Sequence, residues 1–304
     1  MVIVRSEFNE ELFVALKAVY DSEYQTVTAA SFYREVCSIV PSSTRTERYQ
    51  YLGAWPYMRE WLDERQVEGL RGKAFTIENK KYEATVGLDI DDVEDNALGD
   101  IRLQVQNMAA NAATHPDELV TTLMEAGAST LCFDGQYFHD TDHAWGDSGT
   151  QSNKLTGTGV DTTAKIEADL QAAIAAMRVF KNDRGKIMNL VPTHVVIPPA
   201  IEWNFRKVLE AALISTGGTN VMANLNLKLI INPLLTDVND WYLKCCSKPM
   251  KPYIFQTRKA PRFTTPDAGM SDRKFMKGEE LYGVDGRYGN GYGHWAMSVL
   301  TTNS

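Results

Sequence analysis

Between Phe138 and His143 the chain places two imidazoles, His139 and His143, and two carboxylates, Asp140 and Asp142, within five residues, with Asp134 close by. Zinc or a hard divalent cation can use such nitrogen and oxygen donors. The spacing matches no established zinc pattern, and no further His or Cys pair completes a ligand set. The same residues equally make a polar turn whose side chains bond the backbone. Gly289-Asn290-Gly291-Tyr292-Gly293 is glycine-rich, but a phosphate-cradling loop needs Gly-Lys-Ser/Thr before a helix. Here His294-Trp295 follows and leads into an apolar strand. Gly157-Thr158-Gly159 precedes a helix whose N-terminus could accept an anion, yet no strand leads into it. The run Asp89–Asp95 holds five acids in seven residues. It could bind a divalent cation, or it could be the acidic first turn that a helix dipole favours. No Gly-x-Ser-x-Gly elbow is present. No catalytic residue, metal site or cofactor is assigned on these signals, and the chain reads as a non-enzyme.

The elements that would position these residues are mixed. Residues 6–22 read as a short amphipathic helix, with Phe8, Leu12, Leu16 and Val19 at helical spacing. Residues 23–50, rich in Ser and Thr, read as an extended arm lying on its own domain or on a neighbour. An aromatic patch follows (Trp55, Pro56, Tyr57, Met58, Trp61), and then residues 64–90 read as a long hairpin. Tyr82, Ala84, Val86, Leu88 and Ile90 alternate with polar residues in the period of a half-buried strand. The tip falls at Arg71-Gly72-Lys73 or at Asn79-Lys80-Lys81. Leu98, Ile101, Val105, Met108, Ala112, Leu119 and Leu123 then follow one face of a long helix. Its phase survives Pro116, so it is kinked there or divided into two helices in line, and Gly127 ends it. Residues 128–161 are polar and turn-rich. A helix spans 162–181, a short strand 195–197, a helix 200–213 and a strand around Leu227, Leu229 and Ile231, with a flexible loop over 215–220. The order is α+β, without the alternation of a doubly wound parallel sheet.

Composition narrows the function classes. The 304 residues are 44% apolar and 23% charged, enough for a sizeable core. A net charge of −8 argues against a protein whose main task is gripping nucleic acid; it is compatible with a container wall that must not hold DNA tightly. Cys37, Cys132, Cys245 and Cys246 form no Cys-x-x-Cys pair and read as buried thiols of a reducing compartment. Arg5, Glu7, Glu10 and Glu11 interrupt any N-terminal apolar stretch, and no run reaches the length of a membrane span. The quiet chemistry contrasts with the shape. An arm and a long hairpin protrude from a compact body and cannot bury their apolar residues alone, which is the profile of a subunit completed by its neighbours.

The residues that carry a family resemblance run in order along most of the chain. They are Tyr51-Leu52-Gly53-Ala54-Trp55-Pro56-Tyr57-Met58-Arg59-Glu60-Trp61, Ile77–Val86, Asp92–Asn96, His115–Val120, Asp134–Phe138 with Asp142-His143, Pro192–Pro199, Trp241-Tyr242-Leu243, and Gly291–Trp295. Each is weak alone; their shared order from about residue 40 to the end resembles the Mu-like major head (capsid) protein family of tailed bacteriophages. Asn96 departs from the pattern, standing where a further acid is expected, which weakens a cation site there.

The resemblance implies a Hong Kong 97 (HK-97)-like phage capsid fold. It divides the chain into an N-terminal arm (1–50), an extended loop (51–90), a peripheral domain with its spine helix (91–130), an axial domain (131–260) and return strands of the peripheral domain (261–304). It implies a major capsid protein that assembles into pentamers and hexamers of an icosahedral virion shell around double-stranded DNA, held non-specifically on the inner face. Scaffolding protein, portal and a decoration protein would be partners, a membrane would not, and assembly would occur in the host bacterial cytoplasm. The Gly217, Gly218 and Asn220 loop would lie near the five-fold or six-fold axis. From their place on a protruding hairpin in an acidic chain, Arg65, Arg71, Lys73, Lys80 and Lys81 are expected to meet acids on neighbouring subunits. The alternatives are a minor head or decoration protein, a metal-dependent enzyme built on His139 and His143, and a carbohydrate- or surface-binding β-rich module.

Overall fold

A computed structural model describes residues 5–50, 75–89, 98–213, 218–266 and 276–303. In chain order the elements are α1 (Arg5–Ala30), α2 (Tyr33–Val36), β1 (Cys37–Pro41), β2 (Thr46–Tyr49), β3 (Phe75–Glu78), β4 (Lys80–Asp89), α3 (Leu98–Glu125), β5 (His143–Ala144), β6 (Thr150–Gln151) and β7 (Lys154–Thr156). There follow α4 (Thr163–Val179), β8 (His194–Ile197), α5 (Glu202–Leu209), β9 (Lys228–Ile231), β10 (Trp241–Lys244), β11 (Tyr253–Thr264), β12 (Glu279–Tyr292) and β13 (Ser298–Thr302). The aromatic patch, Arg65, Arg71, Lys73, the acids 91–95 and Gly217 lie outside the described residues.

Two sheets organise the body. One has the order β1-β11-β12-β4, the other β7-β13-β10-β8-β9. Helices α1 and α3 cover one face of the first sheet: Leu12, Leu16 and Tyr20 of α1 and Ile101, Val105 and Ala109 of α3 close on Phe263, Tyr282 and Val284. Helices α4 and α5 contribute Ile166, Leu170, Ile174, Phe205 and Val208 to the larger core, which also takes Val195, Val196, Leu243 and Val299 from the second sheet. The second half of α3 supplies Val120 and Met124 to that larger core, so this helix of 28 residues, about 42 Å long at 1.5 Å per residue, is the beam common to both. Pro116 sits inside it, and the apolar phase carries through as the periodicity requires.

Two expectations need correction. Residues 23–30 are helical, continuing α1, rather than extended. Their Ser/Thr content gives a weak local preference that packing overrides: Thr28 is buried, Tyr24 stacks on Tyr20, and Ser31 Oγ, just past the helix, donates to the Ala113 carbonyl of α3 at 3.4 Å. The arm then enters its own sheet, with β1 parallel to β11 from Cys37 opposite Tyr253 to Pro41 opposite Thr257.

Second, β3 and β4 are not the two legs of one hairpin. β3 pairs with β2, Tyr49 opposite Phe75, whereas β4 pairs with β12. Asn79 between them is a junction, not a tip. Its amide nitrogen donates to Ser42 Oγ at 2.7 Å and to the Thr44 carbonyl at 2.8 Å, and its oxygen accepts from Gln256 Nε2 at 3.0 Å. That removes Asn79-Lys80-Lys81 as the turn; Arg71-Gly72-Lys73 lies outside the described residues.

The last strands also part company. β12 stays with β11 and β4, but β13 joins the second sheet between β7 and β10. The helix expected over 200–213 is shorter, Glu202–Leu209, after a single 3-10 turn.

Candidate functional site

The histidine segment folds into a closed polar knot. Gly135, at φ 92°, turns the chain, and the Cys132 amide donates to the Gln136 carbonyl, which swings Asp134 back towards His143. Asn153 anchors the knot. Its Nδ2 lies 2.8, 3.1 and 3.0 Å from the carbonyls of Phe138, Trp295 and Ser298, so its oxygen must face the other way. That oxygen accepts from the Asp140 amide at 2.8 Å and faces His143 Nε2 at 3.1 Å. Nε2 therefore carries a proton. On the far side of the ring, Nδ1 lies 2.7 Å from Asp134 Oδ2, and Asp134 Oδ1 accepts from Cys132 Sγ and from the Gln136 amide. Burial pushes the Asp134 carboxyl up, but the hydrogen bonds from His143 and Cys132 and the imidazole's charge outweigh it, leaving the carboxyl below its ordinary range. Trp295 stacks flat on His143, ring centroids 4.0 Å apart.

His139 goes elsewhere. Its Nε2 meets Ser298 Oγ at 2.9 Å, and burial, followed by nearby Lys244, holds its pKa well below that of an ordinary imidazole. Ser298 also accepts from Lys244 Nζ at 3.2 Å, and that ammonium donates to Tyr253 OH at 2.8 Å. Lys244 is fully buried, and its ammonium meets these two hydroxyls. Burial lowers its pKa to about 7.

The sequence therefore singles out the right segment but pairs the wrong residues. The structure brings Cys132, Asp134 and His143 together, one ligand atom of each within 4.8 Å of the others, and leaves His139 and Asp142 out of that group. Within it, the donors bond one another. A catalytic or ligating group must also reach its substrate, and these side chains are sealed: Asp134 and His143 have no exposed side-chain surface. The glycine run has a steric role. A Cβ on Gly289 would lie 2.4 Å from the Glu78 carbonyl oxygen, and one on Gly293 2.3 Å from that of Lys251. Glycine thus lets β12 pass close beneath neighbouring backbone.

The expected contact residues are on the surface or outside the described residues. Lys80 and Lys81 are exposed on β4, opposite Tyr288 and Arg287 of β12, and so face opposite sides of the sheet. Gly218 is exposed. The Asn220 side chain is spent within the chain, donating to the Val208 and Ala211 carbonyls and accepting from the Met222 amide. Sequence reasoning passed over Arg287 and Lys259, whose place beside Lys81 depends on strand register. It also passed over Trp203, 72% exposed on α5 although α5 otherwise buries Phe205, Val208 and Leu209.

The described residues form a two-sheet body with a beam helix shared by both and a closed polar core, with β1 and β4 at the edges of the four-stranded sheet among the described residues. Solved structures share this fold. A chain of the procapsid of bacteriophage JBD30 aligns with a TM-score of 0.59 at 27% identity, over 97% of this chain and 76% of that one. A chain of the virus-like particle from Pyrococcus furiosus aligns at 0.58 and 11% identity, over 94% and 98%, a likeness of fold alone. The class is the Hong Kong 97 (HK-97)-like capsid fold.

Within that class the chain belongs to the Mu-like prophage major head subunit gpT family, which it matches over residues 10–165, 162–235 and 236–304. This is a family of structural capsid subunits, not of enzymes. The Mu-like prophage FluMu major head subunit of Haemophilus influenzae is 28% identical over 270 residues, and the major capsid protein of Escherichia phage Mu is 28% identical over 271. Both alignments take in 89% of this chain, which spans 66% of the length of each relative.

Proposed function

We propose that the chain is the major capsid protein of a Mu-like tailed bacteriophage, self-assembling into pentamers and hexamers of an icosahedral shell around double-stranded DNA. The observation that carries this reading is the family match along almost the whole chain, together with a fold shared with chains of assembled capsids. Its mechanism is geometric. One sequence must serve in rings of five and six, so its contacts must be similar without being identical. A rigid two-sheet body supplies constant shape, and protruding segments supply reach. The antiparallel β2–β3 pair brings Tyr49 and Phe75 side by side, which supports a chain that leaves and re-enters the body at one place, as the extended loop proposed within 51–90 requires. On this reading Arg65, Arg71, Lys73, Lys80 and Lys81 contact neighbouring subunits, and the Gly217–Asn220 loop lies near the ring axis. The four-stranded sheet with α1 and α3 is the peripheral domain, and the five-stranded sheet with α4 and α5 is the axial domain.

Scaffolding protein, portal and a decoration protein are the proposed partners, with DNA touching the inner wall non-specifically. The protein's place is the virion, built in the host cytoplasm; among the described residues no helix is long and apolar enough to cross a membrane. The test is sedimentation velocity on the chain expressed alone and together with its scaffolding protein. Species of rings or shells are expected. A monomer that persists in both preparations, at concentrations where related heads assemble, overturns the reading.

A further inference from the structure

The four-stranded sheet ends on a long edge. β4 is its last strand among the described residues. It has ten residues and pairs with β12 in unbroken register, from Lys80 opposite Tyr288 to Asp89 opposite Glu279. The other edges of the two main sheets are short: β1 has five residues and ends in Pro41, β9 has four and β7 three. A long, regular edge strand is a template for pairing with another chain, and proteins blunt such edges with proline, bulges, brevity or charge. β4 has neither proline nor bulge, and its lysines stand only at its first two positions. On the face it shares with α3, Ala84 stays exposed and Val86 half-buried, because a groove of about 430 Å³ opens between them and the helix.

The helix wall of this groove is Gln104, Asn107 and Asn111 of α3. Their spacing of three and four residues puts them on one helix face, over about 10 Å at 1.5 Å per residue. All three are exposed, and their carboxamides have no hydrogen-bond partner among the described residues. Leu103, four residues before Asn107, is 58% exposed beside them. From Leu103 to Thr114 the helix carries no charged residue, in a chain where 23% are charged. The solvent face of a helix is ordinarily charged and polar. A face that meets its own copy across a two-fold axis suits neutral groups instead, since a charge near the axis confronts its like. A carboxamide carries both donor and acceptor, so an identical carboxamide satisfies it.

We propose that β4 and the Gln104–Asn107–Asn111 stripe form a two-fold contact with the same surface of a second copy of this chain. Two identical edge strands related by such an axis run antiparallel, and directly opposed residues share a face. Even-numbered residues of β4 must therefore oppose even-numbered ones. Near-complete overlap of Lys80–Asp89 leaves two registers, centred on Ala84 or on Thr85. Both set an apolar residue of the second copy, Ala84 or Val86, against the exposed Ala84, and neither opposes like charges. Helix α3 packs on β12, and three strand spacings, about 14 Å, separate β12 from its copy. Two helices of 10–12 Å diameter nearly fill that distance, so the carboxamide stripes face each other across the joint. The contact goes beyond ring closure, which needs a heterologous surface.

The test uses the full chain below its assembly threshold and measures the monomer–dimer equilibrium by sedimentation velocity. The wild type is expected to dimerise. Asn107→Asp with Asn111→Asp, and separately Asn107→Lys with Asn111→Lys, are each expected to raise the dissociation constant roughly tenfold or more, because each stripe then faces its own sign. Mixing the two variants is expected to restore dimers to the wild-type level or beyond. Weakening without restoration overturns the inference, as do unchanged dimers in the variants or a wild type that stays monomeric at every concentration. Ala84→Cys and Thr85→Cys give an independent reading with a short bismaleimide. One of the two is expected to cross-link into dimers above the background of the native cysteines, while Ile39→Cys on the opposite edge strand β1 is not. Cross-linking at neither position, or equally at all three, overturns the contact. Dimers that never progress to rings or shells, with the scaffolding protein present, refute the shell reading and leave this contact standing.

Discussion

Lys244 offers the sharpest physical test of the interior. It is a fully buried amine that hydrogen-bonds to the neutral hydroxyls of Tyr253 and Ser298. Cys37, Cys246 and the Tyr242 ring lie around it, and His139 reaches it through Ser298. Burial brings its pKa from 10.5 to about 7. Because the folded value is the depressed one, the unfolded chain binds the extra proton, and stability must rise with pH across the window from about 7 to 10.5. Below 7 both states are protonated and the penalty is complete. At 1.36 kcal/mol per pKa unit it is about 5 kcal/mol there, and it shrinks by roughly 2 kcal/mol between pH 7 and pH 9.

Lys244→Met keeps the length of the side chain and removes the titration, while costing its two hydroxyl partners about 1 kcal/mol each. The buried tyrosines and thiols have raised pKa values, which makes them lose stability as pH rises through their unfolded values. They are common to both proteins, so the difference between variant and wild type isolates the lysine. The assay is urea unfolding followed by tryptophan fluorescence at pH 7, 8 and 9, below the assembly threshold. The variant's advantage is expected to fall by roughly 2 kcal/mol from pH 7 to 9. Parallel curves for the two proteins would refute the reasoning.

Other outcomes follow from the same interior. Asn153→Leu strands three carbonyls and the His143 Nε2 proton in a sealed site; it is expected to cost about 3–5 kcal/mol, read as a lowered urea midpoint, and a loss under 1 kcal/mol would contradict the knot's role. Gly289→Ala drives a Cβ to 2.4 Å from the Glu78 carbonyl oxygen and should destabilise by about 1–3 kcal/mol, whereas the same change at Gly99, where a Cβ meets nothing within 4 Å, should be stabilising or neutral; thermal melts of the two variants compare them directly.

How much of this could be read from the sequence depended on whether a signal was local. The apolar stripe from Ile101 to Leu123 survives Pro116 in α3 because helical phase is a local property. The alternation in β4 was equally plain. What failed was pairing. Nothing in Phe75–Asp89 reveals that its two halves answer to different partners, β2 and β12, since that depends on residues up to two hundred positions away. The Ser/Thr-rich stretch over 23–30 reads as extended because helix propensity is weak there, and packing overrides that preference, with Thr28 buried and Ser31, just past the helix, bonded to the Ala113 carbonyl of α3. In the histidine segment the residue types were visible, but Cys132 and Asn153, which decide what His143 does, carried no motif. Family resemblance, spread over many short stretches in fixed order, carried more of the function than any single residue.

The central claim is that this one chain closes into rings of five and six. Electron cryomicroscopy of particles formed with its scaffolding protein tests it most directly. The account predicts shells in which the two-sheet body recurs unchanged in pentamers and hexamers, while the segment between Tyr49 and Phe75 reaches onto an adjacent copy. Particles whose rings are built from a different chain, with this one bound only at isolated surface sites, would contradict it.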